Sequence, residues 1–151
     1  MSLKRINTVL AIAVVLFTFY LGVSFLLSPE TQAPGFGLPS WPSGDGGGFL
    51  VVKGNRENAM GLAMGILLVT GHRRALGQVL LMVAVAPFSD MITVLAHHGS
   101  TSAAFGIHGL TSALIATTGL LILRETGKAR KVPESAAVPE AVVPVPAAHS
   151  V

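Results

Sequence analysis

The chain contains no cysteine, which excludes both a disulfide framework and a thiolate metal site. Charge is also scarce: Asp, Glu, Lys and Arg make up 11% of the 151 residues, against 51% hydrophobic residues, and mean hydropathy is strongly positive. A soluble core of this length needs a more polar surface, so the composition points to a polytopic membrane protein with the lipid bilayer as its first partner. Long stretches lack Lys and Arg altogether. Eight of the ten basic residues stand beside apolar segments in three clusters, Lys4 and Arg5, then Arg73 and Arg74, then Arg124, Lys128, Arg130 and Lys131. Such clusters report topology, and no nucleic-acid partner is expected.

What is present in abundance is uncharged apolar chain. The run from about Val9 to Leu27 is long enough to cross a hydrocarbon core of about 30 Å at about 1.5 Å per residue. A cleavable signal peptide is the competing reading of this start, but its core would be unusually long and no A-x-A-like site precedes Pro29. Two further apolar arms run from Gly54 to Asp90 around the basic turn His72, Arg73 and Arg74. Leu, Val, Met, Ala and Gly occupy all faces of both arms, which is not the pattern of a soluble amphipathic helix. The expected architecture is all-α: a four-transmembrane-helix bundle over residues 1–124, with spans at about 9–27, 55–70, 75–97 and 103–123. Pro87 interrupts the hydrogen-bond ladder of the third span. The three basic clusters agree on one orientation, with both termini cytoplasmic in the plasma membrane.

Between the first two spans lies an outer loop, 28–54, rich in Pro and Gly. Phe36, Leu38, Trp41 and Phe49 are spaced through it like side chains that dip into a membrane interface or cap a helix bundle. The glycine run from Gly44 to Gly48 lacks the preceding strand, the following helix start and the Lys-Ser/Thr of a phosphate-binding loop, and reads as flexibility. Beyond 124 the sequence is a Pro/Ala/Val-rich tail, 125–151, expected to be disordered and cytoplasmic. Gly61 and Gly65 form a small-xxx-small pair that allows close helix approach, including approach of a second copy to give a homodimer.

The polar residues of the spans gather at one depth. Arg56, Glu57 and Asn58 stand at the outer end of the second span, Asp90 and His97 share a stripe on the third, and His108, Thr111 and Ser112 form a patch on the fourth. An ionisable side chain at membrane depth costs at least about 2.5 to 3.5 kcal/mol, so Asp90 must be paired, hydrated or protonated, with Arg56 as the expected counter-charge. Asp90, Glu57 and His108 are the candidate catalytic groups, able to act as general acids and bases. Arg56, Asn58, His97 and Thr111 are the candidate substrate-binding groups. No metal site is expected, because His97 and His98 point about 100° apart on a helix, and no cofactor motif is present.

Several short motifs in order, Gly35 to Gly37, Lys53 to Glu57, the Gly61 repeat, Gly71 to Gly77, Asp90, and His108 with Gly109, together resemble the domain-of-unknown-function family 4267. The resemblance spans about Val9 to Leu123 and implies a small four-helix membrane protein. In it an Arg followed by an acidic residue matches Arg56 and Glu57, an acidic residue late in the third span matches Asp90, and a His-Gly pair matches His108 and Gly109. The family's activity is unassigned, so the resemblance supports the fold and the choice of residues more than any function. On the residues themselves, the leading expectation is a membrane-embedded polar pocket near the outer face that binds or converts a small lipophilic molecule. Two alternatives stand beside it: an accessory membrane subunit whose ion pair is structural, and a small proton-coupled transporter. Whether the protein is an enzyme stays open at this stage.

Overall fold

In a computed structural model the described residues are 2–40 and 44–130, with side chains described as far as 127. The uncharged run after Lys4 and Arg5 forms the long helix α1, Leu3–Leu27, which ends where Ser28 leaves helical geometry ahead of Pro29. A short helix α2, Pro29–Gln32, and a 3-10 turn, Pro34–Phe36, follow. Helix α3 is Gly46–Val69. The next membrane-length stretch divides into α4, Arg73–Val83, and α5, Val85–Ala96. A single turn, α6 (Thr101–Ala103), leads through a π-helical segment, Ala104–Gly109, into α7, Leu110–Arg130. No strand occurs among the described residues.

Three of these stretches, Leu3–Leu27, Arg73–Ala96 and Thr101–Gly127, are long and apolar enough to cross a membrane. Their outward faces carry apolar side chains: Leu16, Tyr20, Met82, Val85, Leu114 and Leu120 are all at least half exposed. Contiguous apolar exposure on this scale fits association with a bilayer. Helix α3 falls outside that set, since Lys53, Arg56 and Glu57 all lie on it.

In lipid, helices associate by close packing, because the hydrophobic effect between them is weak. Glycine supplies that packing at two crossings. On α1 and α3, a Cβ at Gly54 would stand 2.8 Å from the Gly22 carbonyl, and one at Gly61 would stand 3.3 Å from the Phe19 ring. On α4 and α7, a Cβ at Gly77 would stand 3.1 Å from the Gly119 carbonyl, and one at Gly119 would stand 2.9 Å from that of Gly77. The core between the two pairs holds Met64, Leu76, Leu80 and Ile122, all fully buried. The Gly61 and Gly65 face, expected to admit a second copy, is thus occupied within the chain by Phe19 and Val15 of α1.

Two boundaries differ from the sequence expectation. The outer loop does not reach residue 54: α3 starts at Gly46, with the Gly48 amide donating to the Asp45 carbonyl at 2.9 Å. Three glycines make a poor helix start by propensity, but the helix they open packs closely on α1 further along, where Gly54 meets the Gly22 carbonyl. At the other end α7 runs to Arg130, into the stretch expected to be tail. The rest of that tail, 131–151, and Trp41 lie outside the described residues. The third apolar stretch breaks at Ala84, one turn before Pro87, which has no N–H for the Val83 carbonyl. There the Ala84 carbonyl accepts from the Phe88 amide at a long 3.3 Å and from Ser112 Oγ at 2.9 Å.

Candidate functional site

Extending α3 back to Gly46 places Lys53 one helical turn before Glu57. At that spacing side chains meet on one face. Lys53 Nζ donates to Glu57 Oε1 at 3.2 Å and, across to α5, to Asp90 Oδ2 at 3.3 Å. One ammonium therefore bridges two carboxylates. Its other surroundings are aromatic, with Nζ 5.7 Å from the Phe25 ring centroid and 5.3 Å from that of Phe36, both within cation–π range.

These groups stand on the wall of a cavity of about 320 Å³. His108 and Thr111 line it from the π segment and α7, Gln32 from α2, and Phe17, Leu21, Met60 and Ile115 supply apolar wall. The volume is at the lower end of small-molecule sites, which are mostly apolar with a few placed polar groups.

His108 is held by the loop that covers it. Its ring is buried, tilts against the Phe36 ring with centroids 4.6 Å apart, and its Nε2–H donates to the Phe36 carbonyl at 2.8 Å. A carbonyl only accepts, so Nε2 carries a hydrogen, and in the neutral ring the lone pair is on Nδ1. The π segment sets the ring's direction: the Leu110 amide reaches back to the Phe105 carbonyl, which shifts the helical register around His108. Interruptions of this kind are frequent at functional sites. The loop itself is anchored by the Ser100 amide, which donates to the Gly37 carbonyl at 2.7 Å. Gly37 has φ +93 and no room for a side chain beside Ala103, so glycine is required there.

Of the residues singled out in sequence, Glu57, Asp90, His108 and Thr111 meet at this cavity. Arg56, Asn58 and His97 do not line it. Arg56 is exposed and makes no ion pair among the described residues. Asn58 packs against Gly22 of α1. His97 is exposed beyond the end of α5, and His98, at φ 56, turns the chain away. Lys53 takes the part expected of Arg56. Its spacing of four from Glu57 was the available signal, hidden by reading residues 28–54 as loop. Among the described residues no group of three His, Asp or Glu side chains is placed to hold a metal ion.

A second polar cluster joins the opposite ends of α1, α4 and α7. Arg73 Nη2 donates to Glu125 Oε2 at 2.9 Å, Arg73 Nη1 donates to Thr8 Oγ1 at 3.0 Å, and Arg73 Nε lies 2.9 Å from Glu125 Oε1. The fully buried Asn7 donates through Nδ2 to Glu125 Oε2 at 2.7 Å and to the Leu121 carbonyl at 3.3 Å. The three basic clusters drew attention to Arg73 as a topology signal, and this network was missed.

Fold and site together define a small helical protein with membrane-length apolar helices and a charged cavity between them. The chain belongs to the family described as Domain of unknown function (DUF4267), whose model matches residues 15–122 and so takes in every cavity-lining residue. No curated protein and no solved structure matches the chain.

Proposed function

We propose that the protein is a four-helix membrane bundle of the plasma membrane, with both termini cytoplasmic, whose cavity near the outer face binds or converts a small lipophilic molecule. The observation that carries this reading is the Lys53 bridge to Glu57 and Asp90 on the wall of a largely apolar cavity. Ionisable groups within an apolar bundle are functional candidates by default, because their placement is costly. Here they front a space large enough for a ligand. The chemistry on offer is proton transfer: two carboxylates and the Nδ1 lone pair of His108 can remove or return a proton on a bound substrate. Isomerisation by removal and return of one proton needs no co-reactant and suits such a site. Lys53 would hold the carboxylates in place and is assigned the part of positioning group.

One observation favours a second reading, that of an accessory subunit: the Lys53 to Asp90 pair also ties α3 to α5. Native mass spectrometry of the protein released from mild detergent separates the two. Wild type is compared with an Asp90→Ala variant of identical gel-filtration behaviour. A discrete extra mass on wild type, lost in the variant, is the expected result. Bare protein in both samples would transfer support to the structural ion pair.

A further inference from the structure

We infer that the ligand of the outer cavity is a lipophilic amine bearing a single positive charge, an inference that rests on the pocket reading above. The nitrogen donors of Lys53 and His108 are already committed, while the Gln32 amide and the Thr111 hydroxyl, which also line the cavity, make no side-chain hydrogen bond among the described residues. Lys53 Nζ is shared between Glu57 Oε1 and Asp90 Oδ2 and otherwise faces the Phe25 and Phe36 rings, and the Nε2–H of His108 is held by the Phe36 carbonyl. The acceptors are not. Glu57 Oε2, Asp90 Oδ1 and His108 Nδ1 have no hydrogen bond among the described residues. The Lys53, Glu57 and Asp90 side chains keep 28%, 18% and 29% exposure, so they remain reachable.

Charge points the same way. One lysine against two carboxylates leaves the cluster, when ionised, one negative charge in excess beside apolar walls that leave it only partly solvated. A headgroup that donates hydrogen bonds and carries one positive charge would satisfy the spare acceptors and bring the cluster to neutrality. An alcohol would meet the acceptors without balancing the charge, and a carboxylate would meet neither need. For the tail, Phe17, Leu21, Met60 and Ile115 provide an apolar wall, and about 320 Å³ suits one short chain or ring system in place of a two-chain lipid.

The test is isothermal titration calorimetry of the full chain in non-ionic detergent with decylamine, decanol and decanoate, each also titrated into protein-free micelles. Saturable heat is expected for decylamine, weaker binding for decanol and none for decanoate. Asp90→Asn and Glu57→Gln, either of which suffices if the other fails to fold, should each weaken decylamine by about tenfold or more, the loss of a charged hydrogen bond. Met60→Trp, which fills the cavity, should abolish binding. Decanoate or decanol binding as tightly as decylamine would overturn the amine assignment and leave the pocket standing. Absence of saturable binding by all three probes would overturn both.

Discussion

Replacing Lys53 with Met tests whether the bridge is energetically real. Methionine retains an apolar stem against Phe25 and Phe36 but removes the ammonium, leaving Glu57 and Asp90 without their shared partner. A hydrogen bond to a charged group contributes about 1.5 to 3 kcal/mol, and loss of one partner from a fully buried pair costs about 3 to 5 kcal/mol. The contacts here are long, 3.2 and 3.3 Å, and the side chains keep 18% to 29% exposure, so water screens part of the loss. The expected destabilisation is therefore about 2 to 3 kcal/mol. Adding Asp90→Asn to Lys53→Met removes one orphaned carboxylate and should return about 1 kcal/mol, within the usual range of coupling between contacting residues. Arg56→Met is the control, expected to stay within about 0.5 kcal/mol of wild type, as exposed substitutions do. Reversible unfolding by SDS in mixed micelles, followed by helical circular dichroism, measures the three variants against wild type. Lys53→Met no more destabilised than Arg56→Met would refute the reasoning.

Other consequences of the fold can be checked alongside. Gly54→Val and Gly119→Val place carbon against a facing carbonyl and should each cost about 1 to 3 kcal/mol in the same unfolding assay. Gly106→Ala, with open space around it, should be neutral or slightly stabilising. Arg73→Lys cannot reproduce the guanidinium contacts to both Glu125 and Thr8 and should lose most of what Arg73→Met loses, whereas the exposed Arg74 should tolerate Met. Because the chain has no cysteine, single-cysteine variants report topology directly. An impermeant maleimide should label Glu30→Cys on intact cells and Arg74→Cys only after permeabilisation, and the reverse pattern would overturn the proposed orientation.

The helices were legible where one physical signal dominated. The apolar stretch of α1 needs only the absence of charge, and the break in the third apolar stretch follows from the missing N–H of Pro87. The site was legible only in part, because its geometry depends on local departures from regular helix. Reading Asp90 and His97 as one stripe assumed that the helix continues, but α5 ends at Ala96. The three- and four-residue spacing that grouped His108, Thr111 and Ser112 holds for an α-helix, and the π segment shifts that register. His108 and Thr111 still meet at the cavity, His108 also reaching the Phe36 carbonyl, while Ser112 turns to the Ala84 carbonyl. Lys53 was obscured by tertiary packing, since the helix that presents it begins in a glycine run that local propensity assigns to loop.

The two polar clusters differ in a way that bears on which end of the molecule acts. At the Arg73 end one guanidinium meets one carboxylate, the charges cancel, and Asn7 and Arg73 donate to groups on α1 and α7, although the buried Asn7 Oδ1 accepts no hydrogen bond among the described residues. Such a cluster fixes helix positions and offers a ligand little. At the Lys53 end the charges do not cancel, acceptors are left over, and a cavity opens beside them. A purely structural ion pair has no need of the second carboxylate: Lys53 with Asp90 alone would tie α3 to α5 at lower desolvation cost. The excess charge is therefore the feature to press. If Glu57→Gln raised stability while leaving the helical content intact, the second carboxylate would be shown to burden the fold, as expected of a group kept for what it binds.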